Sequence, residues 1–212
     1  MSWIDISPII SERLGVFPGD TRFSREILLD YAKGHNLRLS AVKTTLHLGA
    51  HADSVGHYHR DGGGVDQRDV GAYLGTCQVV HVKTGQGRIQ LQDVAGLVVK
   101  APRVLFRTDS FPDPDHWNSD FRSFSPEVLT FLADHDVKLV GIDTPSVDPE
   151  DSKALESHQI LHARGMAVLE GLVLTQVGEG LYTLIAPPLL IEGADASPVR
   201  ALLHPQAGLI PE

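Results

Sequence analysis

The chain has 212 residues, 42% hydrophobic and 21% charged, an ordinary globular composition that supplies a buried core without disulfide or metal staples. Its 18 basic against 27 acidic residues leave a net charge of −9 with no Lys/Arg cluster, which argues against nucleic acid and anionic membrane and for a small-molecule or protein partner. Cys77 is the only cysteine, so an internal disulfide and a thiolate metal site are both excluded, and a reducing cytoplasm is the expected compartment.

The first fifteen residues, "MSWIDISPIISERLG", carry Asp5 and Glu12 and lack a basic segment followed by a long apolar run, so they do not read as a signal peptide. No stretch approaches the roughly 18 apolar residues of a membrane helix. Short segments rich in β-branched residues then predict strands at 3–7, 37–48, 77–82, 103–108, 137–143, 166–174 and 181–191. Between them, "SPEVLTFLADHD" predicts a helix, with Ser125 as N-cap, Pro126 at the first helical position, and Val128, Leu129 and Leu132 at helical spacing. A second helix is predicted in "DSKALESHQILHARG", carrying Leu155, Ile160 and Leu161 and stopping at Gly165. Strands outnumber helices and both helices come late, which predicts a mixed α/β or α+β fold with one sizeable sheet system. With no repeat, low-complexity tract or linker, one domain over residues 1–212 is expected.

The segment Thr44–Gly64, "TTLHLGAHADSVGHYHRDGGG", crowds four histidines and two aspartates between His47 and Asp61. Such a stretch is a metal site, a proton relay or a solvated polar loop. Gly49 breaks the step from His47 to His51, placing these two at a strand end and the loop after it, where ligands are common. His47, His51 and Asp53 offer three donors for a tetrahedral Zn²⁺ with a fourth position open, as a catalytic ion requires. A distant partner is available in "LESHQILHARGMAVLEGL": a helix-turn-strand unit brings His158 towards Glu170, and a carboxylate within the run Val168–Val173 must be paired, metal-bound or turned to the other face.

The pattern H-x-G-x-H-x-D-x-x-x-H from His47 to His57, the segment "GIDTPSVD" at 141–148, and "SHQILHARGMAVLEGL" at 157–172 together resemble the metal-dependent cyclase-type hydrolases, most closely the bacterial kynurenine formamidases. The similarity extends from "WIDISPII" and "FPGDT" to the last strands. It implies a swivelling β/β/α domain with a barrel-like mixed sheet, usually a homodimer, and two divalent ions per chain, zinc foremost. Carried over residue by residue, it implies that His47, His51 and Asp53 hold the first ion and His158 the second, that Asp53 and Glu170 serve both, and that His57 is the catalytic acid/base. Phe17 falls where those enzymes carry a tryptophan lining the substrate pocket, and Val55 replaces a proline two residues after the aspartate.

The implied reaction is hydrolysis of N-formyl-L-kynurenine to L-kynurenine and formate in tryptophan degradation, with water activated by metal and His57 handling protons. No G-x-S-x-G motif offers a serine route. The rivals are the opening of a cyclic amide, as isatin hydrolases perform, and a metal-binding protein without turnover, for which His57 would be superfluous. Tyr58, His59 and Asp61 are expected to face solvent or stand behind the site. Thr144, Ser146 and Asp148 are read as turn formers, Asp143 as structural or as an acceptor for a ligand histidine, and His162 is left out of the site.

Overall fold

The computed structural model describes residues 2–82 and 85–210. Its strands are β1 (Ile4–Asp5), β2 (Ser24–Leu29), β3 (Leu39–Lys43), β4 (His51–Asp53), β5 (Leu74–His81), β6 (Arg88–Ile89), β7 (Arg103–Arg107), β8 (Ser123–Phe124), β9 (Leu139–Ile142), β10 (Ala167–Leu169), β11 (Gly180–Ile185), β12 (Ala196–Pro198) and β13 (Leu202–His204). The α-helices are α1 (Val55–Tyr58), α2 (Pro126–Ala133) and α3 (Glu156–Arg164). A curled seven-stranded sheet runs in the order β1-β13-β11-β5-β7-β9-β10. The pairings β5-β7, β7-β9 and β9-β10 are parallel, and the remainder antiparallel.

The parallel half is apolar on both faces because both are covered. Cys77, Val79, Leu105, Ala167 and Leu169 point into one core with Tyr73, Leu184 and Leu203. Their alternating neighbours Val80, Val104, Phe106, Val140 and Val168 point into the other, against Val128, Leu129 and Leu132 of α2 and Leu161 of α3. Helix α2 starts after Ser125 with Pro126 in its first turn, as expected, although the Ser125 hydroxyl makes no capping bond. Helix α3 stops at Gly165, which takes the left-handed conformation at φ 65°.

The structure shortens several predicted strands. The one expected over 37–48 stops at Lys43, and His47 lies in the irregular segment that follows. The one expected over 181–191 stops at Ile185, just before Pro187 and Pro188, which have no N–H to give a ladder. Helix α3 begins at Glu156 rather than near Asp151. Leu155 stands at φ 48° before it, and the carboxylate of Asp148 accepts the free backbone N–H groups of Ser157 (3.0 Å) and His158 (3.1 Å), satisfying two of the orphan donors of the first turn.

Candidate metal centre

The site forms where β4, the end of β10, α3 and the loop before β4 meet. Alternation along β4 puts His51 and Asp53 on one face and Ala52 in the core behind them. The histidines are therefore the reverse of the expected arrangement: His51 opens a strand and His47 sits on the loop before it. One edge of β4 pairs with β12, Asp53 opposite Ala196. On the other edge His51 and Glu170 exchange both backbone hydrogen bonds, at 3.1 and 3.0 Å, which carries the Glu170 carboxylate to the His51 ring. The next residue, Gly171, has φ 65°, and a Cβ there would lie 2.1 Å from the carbonyl oxygen of Gly49. The approach of these two segments therefore requires glycine at 171.

Asp53 stands at the centre. Its Oδ1 lies 3.0 Å from His47 Nδ1 and 3.4 Å from His51 Nε2, and its Oδ2 lies 3.4 Å from His158 Nε2. Glu170 closes the ring of donors, Oε2 at 3.3 Å from His51 Nε2 and Oε1 at 3.6 Å from His158 Nε2. His51, Asp53, His158 and Glu170 are all buried. Yet among the described residues His51 Nε2, His158 Nε2 and both carboxylate oxygens of Asp53 find no hydrogen-bond partner, a costly condition for buried polar atoms unless a cation takes their lone pairs. Among the described residues three overlapping triads, His47/His51/Asp53, Asp53/His158/Glu170 and the more exposed His47/His57/Asp195, each place their donor atoms within 4.8 Å of one another. Mixed imidazole and carboxylate donors, orphaned and convergent, fit divalent ions of the zinc type.

The ring nitrogens facing away are held. His51 Nδ1–H donates to the Gly49 carbonyl at 2.8 Å and His158 Nδ1–H to Asp148 Oδ2 at 2.8 Å. Both bonds fix the tautomer that leaves Nε2 free to bind. Asp148, read from the sequence as a turn former, is instead fully buried behind His158 and also accepts from Arg88 Nη1 at 3.1 Å. Asp143 orients no histidine. It accepts from Thr108 N, Thr108 Oγ1 and Asp109 N and pins that loop at the cavity wall.

Burial and charge compete throughout. Burial pulls the His47 pKa down, but the Asp53 and Asp195 carboxylates outweigh it and raise the group to about 9. Burial likewise opposes protonation of His158, and Asp148, Asp53 and Glu170 overcome it, raising the pKa well above the ordinary value. Asp53 is pushed up by burial, yet His158 and His47 hold it well below the usual carboxylate range. The two buried carboxylates thus demand positive charge. His57 differs: burial is its largest influence and lowers its pKa.

Over these donors opens a cavity of ≈ 550 Å³ lined by His57, Phe17, Phe111 and Trp117 among others. His57, on α1, has its ring centroid 4.1 Å from that of His47 and its Nδ1 4.0 Å from Asp195 Oδ2, with a side chain 35% exposed. Phe17, 44% exposed, meets Trp117 edge-on at 5.5 Å, and the Trp117 indole N–H donates to Glu150 Oε2 at 2.7 Å. The sequence carries no signal for Trp117. It lies in the irregular run "FPDPDHWNSDF", one hundred residues from Phe17 and without periodicity. Tyr58 is buried with its ring 4.9 Å from that of His158. The rings of His59 and His162 stack on each other at 4.0 Å, outside all three triads, and Asp61 is exposed.

Residues 4–149 match the family model described as "Putative cyclase". The chain is 43% identical over 201 residues to a protein of Delftia acidovorans (strain DSM 14801 / SPH-1) named kynurenine formamidase, covering 94% of this chain and 96% of that one. Among solved structures, one titled a potential metal-dependent hydrolase with cyclase activity superposes with a TM-score of 0.85 at 25% identity, covering 97% of this chain and 98% of the other. Isatin hydrolase A from Labrenzia aggregata gives 0.80 at 23% identity, covering 95% and 93%, a likeness of fold. The sequence match over most of the chain and the match along nearly the whole of a relative lead to one conclusion: this chain belongs to the cyclase family.

Proposed function

We propose that this protein is a metal-dependent arylformamidase that hydrolyses N-formyl-L-kynurenine to L-kynurenine and formate, a step of tryptophan degradation. The observation that carries the reading is the convergence of three imidazoles and two carboxylates, with orphaned donor atoms, at the floor of an aromatic-walled cavity. The extent of the similarity to the Delftia formamidase supports the substrate. In this reading His47, His51 and Asp53 hold one divalent ion, His158 joins a second, and Asp53 and Glu170 serve both. We take zinc as the ion, since it is commonly held by such nitrogen and oxygen donors. Ions of this kind, when bound, polarise a carbonyl and make water nucleophilic near neutral pH.

The chain's own residues complete the chemistry. The bonds from His51 to Gly49 and from His158 to Asp148 hold those rings in place, so little reorganisation is needed. His57, whose pKa burial lowers, accepts a proton from the attacking water. As imidazolium it then donates that proton to the aryl nitrogen, a poor leaving group until protonated. Phe17 and Trp117 flank the aromatic ring of the substrate, and the cavity is the size expected for a small ligand.

We further infer a cytoplasmic homodimer of single-domain chains. The β2–β3 ribbon leaves Ile27, Leu28, Leu39 and Val42 exposed, an apolar surface of the kind a second copy covers. Among the described residues no helix is long and apolar enough to cross a membrane. The test of function is to assay the purified protein with N-formyl-L-kynurenine and with isatin side by side. Release of kynurenine and formate with little isatin opening is expected, and the opposite preference would overturn the substrate.

A further inference from the structure

We propose that Asp195 is a positioning residue that couples His47 to His57; the proposal rests on the reading of the site given above. Three imidazoles line the donor cluster, and each has its far nitrogen held by a different acceptor: Gly49 for His51, Asp148 for His158, and Asp195 for His47, whose Nε2–H donates to Asp195 Oδ2 at 3.0 Å. That bond leaves Nδ1 as the His47 atom turned to Asp53. The same Asp195 oxygen lies 4.0 Å from His57 Nδ1, and the two imidazole rings stand 4.1 Å apart. One carboxylate oxygen therefore faces both the histidine assigned to the ion and the histidine assigned to the proton.

The backbone around Asp195 is fastened for such a role, although its side chain is 52% exposed. Its carbonyl accepts both the N–H (2.8 Å) and the hydroxyl (2.9 Å) of Ser54, the residue after Asp53. Ala196 pairs with Asp53 across β12 and β4, and Ala194 accepts from Val65 N at 2.8 Å. An exposed aspartate on a loose turn would lose rotamer freedom by pairing with a surface imidazole, for little gain. Here the backbone is already pinned on the donor strand, so only the side-chain rotamer of Asp195 remains to be fixed when its carboxylate meets His47. Because it is partly exposed, it can be removed without opening a core. Its effect should fall on orientation: a His47 ring free to rotate binds its ion less tightly, and a His57 ring that loses the oxygen beside its Nδ1 is less firmly placed over the site.

The experiment compares Asp195→Ala and Asp195→Asn with the parent. Zinc affinity of the chelator-stripped chain is measured by competition with a chromogenic chelator, and kcat and KM are measured on the zinc-loaded protein. We expect Asp195→Ala to weaken one of the two zinc sites about 10- to 100-fold, the usual effect of losing the acceptor behind a ligand histidine, while the other site is unchanged. Its kcat should fall at least tenfold with KM within about twofold. Asp195→Asn keeps an acceptor oxygen at the place that faces both His47 Nε2–H and His57, and should bring zinc affinity and kcat back to within a few-fold of the parent, a rescue by the conservative variant that ties the loss to the acceptor oxygen rather than to the fold. Parental zinc affinity and kcat in Asp195→Ala would overturn the proposal. So would a third zinc per parent chain lost on substitution, which would make Asp195 a ligand with His47 and His57. If the parent failed to hydrolyse N-formyl-L-kynurenine while Asp195→Ala still lost zinc affinity at one site, the substrate would be wrong and the positioning of His47 would stand.

Discussion

Replacing Asp148 by asparagine preserves shape and removes one acceptor edge of a fully buried carboxylate. Oδ1 accepts from Ser157 N at 3.0 Å and Arg88 Nη1 at 3.1 Å, and Oδ2 accepts from His158 N at 3.1 Å and His158 Nδ1 at 2.8 Å. An amide can serve one pair with its oxygen but turns N–H groups towards the other pair, so two bonds are lost and donors confront donors. At about 1.5–3 kcal/mol for each bond to a charged group, the loss of two is roughly 3–6 kcal/mol, in line with breaking one partner of a buried charged pair. For a chain of this size each kcal/mol moves Tm by about 2–4 °C, so a fall of about 10 °C is expected by scanning calorimetry on the metal-free protein. His158 can escape the clash by moving its proton from Nδ1 to Nε2, which blocks the nitrogen facing Asp53 and Glu170; zinc affinity should therefore drop about 10- to 100-fold as well. The pH dependence gives an independent check. Burial pushes the Asp148 carboxyl up, but its bonds to His158 and Ser157 outweigh it and hold the pKa at about 2, against an ordinary 3.8. A depressed pKa contributes stability that is present above the unfolded value and lost as pH falls. The stability gap between parent and Asp148→Asn should thus be level above pH 4 and narrow towards pH 2. A Tm within 2 °C of the parent together with unchanged zinc affinity would refute this reasoning.

Other substitutions probe the remaining roles. Glu170→Gln should lose metal by elemental analysis whereas Asp61→Asn, at an exposed position, should retain it; equal retention would remove Glu170 from the site. Phe17→Ala should raise KM for N-formyl-L-kynurenine roughly two- to tenfold, the equivalent of about 0.5–1.5 kcal/mol of aromatic contact, with metal content intact; unchanged kinetics would place the ring outside the substrate's reach. His57→Asn should keep its metals and lose kcat by a factor of about 10² to 10⁴. Loss of metal in that variant would make His57 a ligand, and parental turnover would pass proton transfer to another group.

The elements most legible in the sequence were those with a local physical signal. Pro126 and the spacing of Val128, Leu129 and Leu132 announce α2, Gly165 announces the end of α3, and the β-branched runs at 77–82 and 103–108 mark the sheet centre. Strand β4 reads as loop in the sequence because its three residues, His51–Asp53, set between Gly49 at φ 57° and Ser54, are too few for alternation to register. Strand β2, "SREILL", gives no signal in the sequence because it is exposed on both faces and carries no core pattern. In the site, the crowding of histidines from His47 to His57 is local and visible, and His158 and Glu170 stand out through the resemblance. Asp148 shares its composition with a turn. Asp195 is 148 residues from His47, and only the β12–β4 pairing, invisible to any window, brings it there.

The central claim is that ions held by these five side chains sustain formamide hydrolysis. It is tested most directly by stripping the protein with a strong chelator and titrating zinc back while following both bound metal and kynurenine released from N-formyl-L-kynurenine. The account predicts an inactive stripped protein that remains folded, and activity that returns with bound zinc and saturates near two ions per chain. Full turnover by the stripped protein, or zinc uptake near zero with activity unaffected, would contradict it.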